Sequence, residues 1–167
     1  MPTFASRLRT PIGDLRIAVD ERGALRCIEL EPRPGADADG IADDARCAHV
    51  TAQLREYFAG TRTRFDLPLA PAGTDFQQRA WRALQAIPFG ATATYQQQAV
   101  RIGRPTATRA VGAANGKNPI LIVVPCHRVI GKDGSLVGFG CGIATKQWLL
   151  QHERAVIDAR REAGQPA

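Results

Sequence analysis

Cys126 is the residue whose neighbours point most directly to chemistry. It stands in Pro125-Cys126-His127-Arg128, directly after the apolar run Ile120-Leu121-Ile122-Val123-Val124. The proline fixes the backbone before the thiol, and the apolar run places the segment in the core. His127 and Arg128 are two potential cations beside the sulfur, and nearby positive charge favours the thiolate. A thiolate is a soft nucleophile suited to attack on alkyl carbon. On these residues alone a second reading stays open: a buried structural cysteine, the commonest fate of an isolated thiol.

The elements around it must hold that thiol. The β-branched run 120–124 reads as a buried strand or extended segment ending at Cys126. A glycine-rich loop follows, with Gly131, Gly134, Gly138, Gly140 and Gly142. A last helix runs from Ala144 to His152 with Trp148, Leu149 and Leu150 facing inward, and the charged tail beyond it reads as frayed. Upstream, Thr74 or Asp75 caps a helix carrying Phe76, Ala80, Trp81 and Leu84, which Pro88 and Gly90 stop. Thr94 with Gln97 fits a capping box opening a short helix to about Ile102. Gly103-Arg104-Pro105 breaks the chain, and a third, alanine-rich helix starts at Thr106 or Thr108 and runs through Ala114. Two short helices joined by a glycine-containing turn make a helix-turn-helix candidate, although many such hairpins bind no DNA.

The first seventy residues have a different pattern. Leu15–Val19 and Leu25–Leu30 alternate in part around the turn Asp20-Glu21-Arg22-Gly23, which predicts an antiparallel hairpin. Thr10-Pro11-Ile12-Gly13 predicts an earlier turn from a strand near Thr3–Leu8, and Pro32–Gly40 predicts a loop. Val50, Leu54, Tyr57 and Phe58 recur at helical spacing over about 42–59, with Gly60 as the stop.

Bulk properties bound the class. The 167 residues, 44% hydrophobic and 23% charged, suit a globular protein. No apolar run approaches the roughly 20 residues of a membrane span, and the start lacks a signal-peptide h-region, so cytoplasmic residence is expected. The irregularly spaced Cys27, Cys47, Cys126 and Cys141 read as reduced thiols. Residues 1–70 hold ten Lys/Arg against eleven Asp/Glu, whereas 71–167 hold twelve against five. A basic second half fits an anionic partner or, about equally well, a solubilising surface.

A longer string separates the two readings of Cys126. It comprises Arg109-Ala110-Val111-Gly112-Ala113-Ala114-Asn115, Asn118-Pro119, and Ile122 through Gly131 around the cysteine. It continues in Gly134-Ser135-Leu136-Val137-Gly138-Phe139 and in Lys146-Gln147-Trp148-Leu149-Leu150-Gln151-His152-Glu153. The string resembles the O6-alkylguanine-DNA alkyltransferase (methylated-DNA–protein-cysteine methyltransferase) family, densely over about 75–153. The resemblance is looser in Leu54–Gly60 and Thr10–Gly13.

The resemblance implies an α+β protein. A small N-terminal α/β domain over 1–72 would be ribonuclease H-like, an antiparallel sheet plus helix. A mainly α-helical, winged-helix-like domain with a helix-turn-helix would follow over 73–155, and 156–167 would be a flexible tail. The implied function is DNA repair by direct reversal. The alkyl group of O6-alkylguanine, and of O4-methylthymine, would pass irreversibly to Cys126 in a single turnover.

In the implied catalytic set, His127 removes the thiol proton through a bound water and Glu153 orients His127, the logic of nucleophile, base and orienter. Asn118 braces the active-site backbone, and Tyr95 serves guanine N3 as the base leaves. The implied partner is double-stranded DNA with an alkylated guanine, bound through its minor groove by a monomer able to cluster on DNA. Arg109 would fill the stack after the nucleotide flips out. Thr108, Ala110 and Gly112 would approach the backbone. Arg104, Lys117, Arg128 and Lys132 are phosphate candidates, Arg128 being equally a structural residue that the resemblance implies pairs internally. Val129, Ser135, Phe139, Gly140 and Cys141 would form the guanine pocket, with the Cys126 and Val129 carbonyls accepting from the guanine amino group.

The chain departs from the family pattern in three places. Phe139 stands where Tyr is common, Cys141 where Gly is common, and Gln98 where an apolar residue is expected. Cys141 adds bulk, which predicts that methyl is accepted well and benzyl poorly. Gln98 is expected to loosen local packing. No cofactor is implied. Cys27, Cys47 and His49 lack a fourth ligand and the usual spacing, so no zinc site is expected. A non-enzymatic alkylguanine-binding relative is the alternative, disfavoured because such proteins lack the acceptor cysteine.

Overall fold

The computed structural model describes residues 2–31, 40–138 and 140–165. The expected loop at Pro32–Gly40 and the pocket residue Phe139 lie outside them, apart from Gly40. The chain divides into two compact units, one of Met1–Ala72 with Pro119–Val123 and one of Gly73–Asn118 with Val124–Ala167. Among the described residues no helix is long and apolar enough to cross a membrane.

The first unit is a sheet covered by one helix. Strands β1 (Phe4–Thr10), β2 (Gly13–Val19), β3 (Leu25–Leu30) and the short β4 (Ile41–Ala42) lie in the order β3-β2-β1-β4. β2 pairs antiparallel with both β1 and β3, as the alternating pattern and the Asp20–Gly23 turn predict. Leu15, Ile17 and Val19 recur at period two on β2 and are fully buried. Helix α1 (Asp44–Phe58), capped by Asp43, packs on β1 and β2 and buries Cys47, Val50, Leu54 and Tyr57.

The segment before Cys126 is not a regular strand. Ile28 N donates to Pro119 O at 2.9 Å and Leu121 N donates to Ile28 O at 3.0 Å, which makes a single parallel bridge between Ile28 and Ile120 and no named strand over 120–124 among the described residues. Ile122 then takes φ 71° while Val123 N donates to Leu121 O at 2.7 Å, a tight turn centred on a buried β-branched residue. Such a backbone costs about 1–3 kcal/mol. An inverse turn of the same span, without that strain, centres on Pro125, φ −84° and ψ 66°, where Cys126 N donates to Val124 O. Paired turns therefore replace the expected strand.

In the second unit, α2 (Asp75–Gln85) and α3 (Tyr95–Arg101) both open with capping boxes, Thr74 with Gln77 and Thr94 with Gln97. Helix α4 (Thr108–Gly116) follows the break at Gly103–Pro105, and α2, α3 and α4 pack against one another. Their shared core is Ala83, Ala99, Ile102 and Val111. Two-residue strands β5 (Ala93–Thr94) and β6 (Val129–Ile130) pair in parallel. Helix α5 runs from Ile143 to Glu162, so residues 156–162, expected in a flexible tail, are helix. The reason is Ile157: with Lys146, Leu149 and Glu153 it continues one buried stripe along α5.

Gln98 does not loosen the packing. Its side chain and that of Asn115 exchange two hydrogen bonds, at 2.9 and 2.8 Å, and Gln98 also donates to Ala80 O at 3.1 Å. One buried amide pair thus ties α2, α3 and α4 together, with each of its four side-chain nitrogens and oxygens in a hydrogen bond.

Candidate active site

Cys126 opens a one-turn 3-10 helix, Cys126–Arg128, whose three side chains are buried. Asn118, just beyond α4, donates its amide to Cys126 Sγ at 3.1 Å and to Val124 O at 2.8 Å. One side chain therefore holds both the sulfur and the turn that presents it.

The expected effect of the two cationic neighbours is not seen. Burial pushes the Cys126 thiol up to about 11, and Cys141 adds to the rise. The Asn118 donor and the Lys146 ammonium only partly offset it. His127 and Arg128 are occupied elsewhere, with Glu153.

Glu153 is the hub. Its Oε2 stands 2.7 Å from His127 Nε2 and accepts from Arg128 Nη2 at 3.1 Å. Its Oε1 accepts from Arg128 Nε at 2.7 Å and from the Gly90 amide at 3.3 Å. Burial alone would raise the Glu153 pKa, but His127 and Arg128 hold the carboxyl well below the usual range. An ionised carboxylate only accepts, so the neutral imidazole carries its hydrogen on Nε2 and leaves the Nδ1 lone pair open. Nδ1 is buried and has no hydrogen-bond partner among the described residues. Burial, aided by Arg128 and Lys146, lowers the His127 pKa against the pull of Glu153, so the ring is neutral at rest.

Arg128 is not a phosphate contact. Its side chain is 8% exposed, and its third donor, Nη1, is fixed on Ile87 O at 2.8 Å. The other two phosphate candidates on the helix pair, Arg104 and Lys117, are exposed, as is Lys132. Thr108, Arg109 and Ala110 are exposed at the start of α4, and Gly112 is half-buried one turn on.

The pocket candidates are spread along the loop. Val129 is buried, Cys141 half-buried, and Ser135 and Gly140 are exposed. Tyr95 Oη donates to Val137 O at 2.8 Å, so it must release that carbonyl to donate to a base. Gly138 adopts φ 67°, and a Cβ there would stand 3.1 Å from Tyr95 Oη, which explains the glycine.

Lys146 is the residue that sequence reasoning missed. It is fully buried, and its Nζ donates to Val129 O and, at 3.0 Å, to Val137 O. It straps the loop to β6 and puts a positive charge near Cys126. The signal was present: a lysine at helical spacing with Leu149 and Glu153 lies on the stripe that faces inward. Among the described residues no group of His, Cys, Asp or Glu could hold a metal ion.

Residues 4–71 match the model of the 6-O-methylguanine DNA methyltransferase ribonuclease-like domain, and residues 75–155 match the DNA binding domain of the same family. A methylated-DNA–protein-cysteine methyltransferase of Mycobacterium tuberculosis is 57% identical over 150 residues, 87% of this chain and 89% of that one. Its namesake in Methanosarcina barkeri is 46% identical over 148 residues, 87% and 94% of the two chains. Among solved structures, the M. tuberculosis O6-methylguanine methyltransferase superposes with a TM-score of 0.84 at 44% identity, covering 92% of this chain and 93% of that one. The M. tuberculosis OGT in complex with DNA also gives 0.84, at 42% identity and 93% and 94% coverage.

Proposed function

The chain belongs to the 6-O-methylguanine DNA methyltransferase family, and we propose that it repairs DNA by direct reversal, with Cys126 as the alkyl acceptor. The observation that carries the site assignment is the continuous set Asn118–Cys126 and His127–Glu153, buried in one unit.

The resting thiol defines what the site must do. A value of about 11 leaves ionisation at pH 7 uphill by about 5 kcal/mol. His127 Nδ1 faces that task with an open lone pair. A buried polar atom without a protein partner takes solvent, and one water between Nδ1 and Cys126 completes the relay. The proton moves from the thiol to His127, and Glu153 stabilises the imidazolium. The sulfur attacks the alkyl carbon, a C–S bond forms, and the carbon–O6 bond breaks. Guanine leaves with its electron pair and takes up a proton, with Tyr95 donating at N3 once it releases Val137. The thioether product offers no leaving group, so each molecule acts once.

The target must leave the duplex to reach a buried sulfur. Arg109, exposed near the start of α4, fills the gap, while Thr108, Ala110 and Gly112 allow close approach through the minor groove. Arg104, Lys117 and Lys132 contact phosphates. O4-methylthymine is a second substrate. Val129, Ser135, Gly140 and Cys141 wall the pocket, and Cys141 limits alkyl size: benzyl transfer is slower than methyl and speeds up in Cys141→Gly. The protein works in the cytoplasm as a monomer that can cluster on DNA.

The deciding experiment is incubation with an O6-methylguanine oligonucleotide followed by intact mass. The expected gain is one CH2, absent in Cys126→Ala. No adduct on reduced, freshly prepared protein would refute the assignment.

A further inference from the structure

We propose that Ile157 is a positioning residue for Glu153, acting through the turn at 87–90 that clasps the Glu153–Arg128 pair. This rests on the His127–Glu153 relay described above and concerns what fixes its carboxylate in place.

The turn follows α2 and meets the ion pair at three points. Ile87 O accepts from Arg128 Nη1 at 2.8 Å. The Phe89 ring centroid lies 5.7 Å from the guanidinium carbon of Arg128, within range of a cation–π contact. The Gly90 amide donates to Glu153 Oε1 at 3.3 Å. Ala91 N donates to Pro88 O at 3.0 Å and closes the turn on itself. A few residues of one turn therefore touch both partners of a buried pair. Glu153 Oε2 stands 2.7 Å from His127 Nε2. A shift of the turn that moves the carboxylate thus moves the bond that orients the imidazole.

The turn is seated on Ile157. Glu153 and Ile157 are four residues apart on α5 and so are neighbours on its buried face. Gly90 takes φ 80°, a left-handed backbone that favours glycine. A Cβ built on it would lie 2.5 Å from Ile157 Cγ1 and 3.3 Å from Cδ1, so the bare Gly90 backbone rests directly against this side chain. Removing the Ile157 side chain leaves a space under the turn, and packed surroundings relax partly into such a space. The turn then settles toward α5 and takes the Gly90 amide with it. At 3.3 Å that amide's bond to Glu153 is already long, so a small displacement breaks it. The helix beyond Glu153 therefore contributes to the geometry of the relay as well as to the length of α5.

The test takes two readings on the full chain. One is the single-turnover rate of methyl transfer from a saturating O6-methylguanine oligonucleotide. The other is the NMR signal of the hydrogen on His127 Nε2, whose shift reports its bond to Glu153. In Ile157→Ala the rate should fall about tenfold, and the His127 signal should move upfield or broaden. Ile157→Val keeps most of the volume and should stay near wild type in both. Val50→Ala, a buried truncation in α1 of the other unit, is the control. It should lower the melting temperature and leave both readings unchanged, as a merely structural Ile157 also would. Either reading left at wild type in folded Ile157→Ala, or an equal fall in rate in Val50→Ala, overturns the inference. If Ile157→Ala does not fold, Gly90→Ala, which presses the turn off Ile157, decides by the same two readings. Glu153→Gln separates the inference from the relay it rests on. A wild-type rate in that variant removes the relay and the inference together, whereas slow transfer there beside an unaffected Ile157→Ala overturns the inference alone.

Discussion

Asn118 Nδ2 donates to Cys126 Sγ at 3.1 Å, and the same nitrogen donates to Val124 O at 2.8 Å. The two hydrogens of one amide thus fix both the acceptor sulfur and the turn behind it. Because donation to sulfur favours the thiolate, Asn118 also lowers the cost of ionising a thiol that burial holds up. In Asn118→Ala the single-turnover rate on a methylated oligonucleotide should fall by about ten- to a hundredfold, with a stability loss of about 1–3 kcal/mol. A wild-type transfer rate in the folded variant would remove Asn118 from the site.

The raised Cys126 thiol makes stability depend on alkaline pH. Its folded pKa, about 11, lies above the ordinary 9.0 because burial disfavours the thiolate. The protonated thiol therefore stabilises the fold fully below pH 9, and that contribution is lost as pH rises through 11. The loss is about 3 kcal/mol. Urea unfolding at several pH values should show wild type losing more stability over that window than Cys126→Ala. Parallel curves for the two proteins would refute the buried-thiol description.

The Gln98–Asn115 pair offers a cleaner test of packing. In Gln98→Leu the Asn115 amide is left buried without its partner, at a cost of about 1–3 kcal/mol. Replacing both, as Gln98→Leu with Asn115→Leu, removes the orphaned groups and should recover much of that loss. A double-mutant cycle by denaturant unfolding measures the coupling. Additive losses would mean that the two side chains act independently.

How much of this was legible in the sequence depends on whether the cause was local. The capping boxes at Thr74 and Thr94 and the β2–β3 hairpin follow from residues within a few positions of one another, and they form as read. The run 120–124 has strand composition, but Ile28 pairs with it through a single bridge and Ile122 turns away at positive φ. Composition carries no information about either. From the residues alone Arg128 stayed open between a phosphate contact and a structural partner because Ile87 and Glu153, which it pairs with, are distant in sequence. Gln98 likewise looked misplaced until Asn115 met it across the helix pair. Ile157 was readable in principle, since it extends the inward stripe of α5 by one turn, but the surrounding charges hid it.

That extension has a measurable role. A Cβ on Gly90, at φ 80°, would lie 2.5 Å from Ile157 Cγ1, and the Gly90 amide donates to Glu153. Ile157 therefore packs beneath the backbone that helps hold the hub carboxylate. Ile157→Ala should cost about 2–5 kcal/mol and Gly90→Ala at least about 1 kcal/mol, through left-handed backbone and overlap together. Thermal melts check both. Wild-type stability in Ile157→Ala would show that the last turns of α5 are dispensable.

Alkylation should act on the same packing. Cys126 is 5% exposed, and its sulfur lies in hydrogen-bond contact with Asn118. Converting the thiol to a thioether adds a methyl group where no solvent-filled margin is needed for the thiol and weakens the acceptor that Asn118 uses. Forcing an extra methyl into a packed site typically costs about 1–3 kcal/mol. The methylated protein, freed of DNA, should therefore unfold at lower denaturant than the unreacted form, with an unchanged slope if the folded states are equally compact. Cys126→Ala carried through the same incubation should show no shift, which separates alkylation from handling. Equal or greater stability after methyl transfer would mean that the site already has room for the product, and then Cys141 could not limit alkyl size by crowding alone.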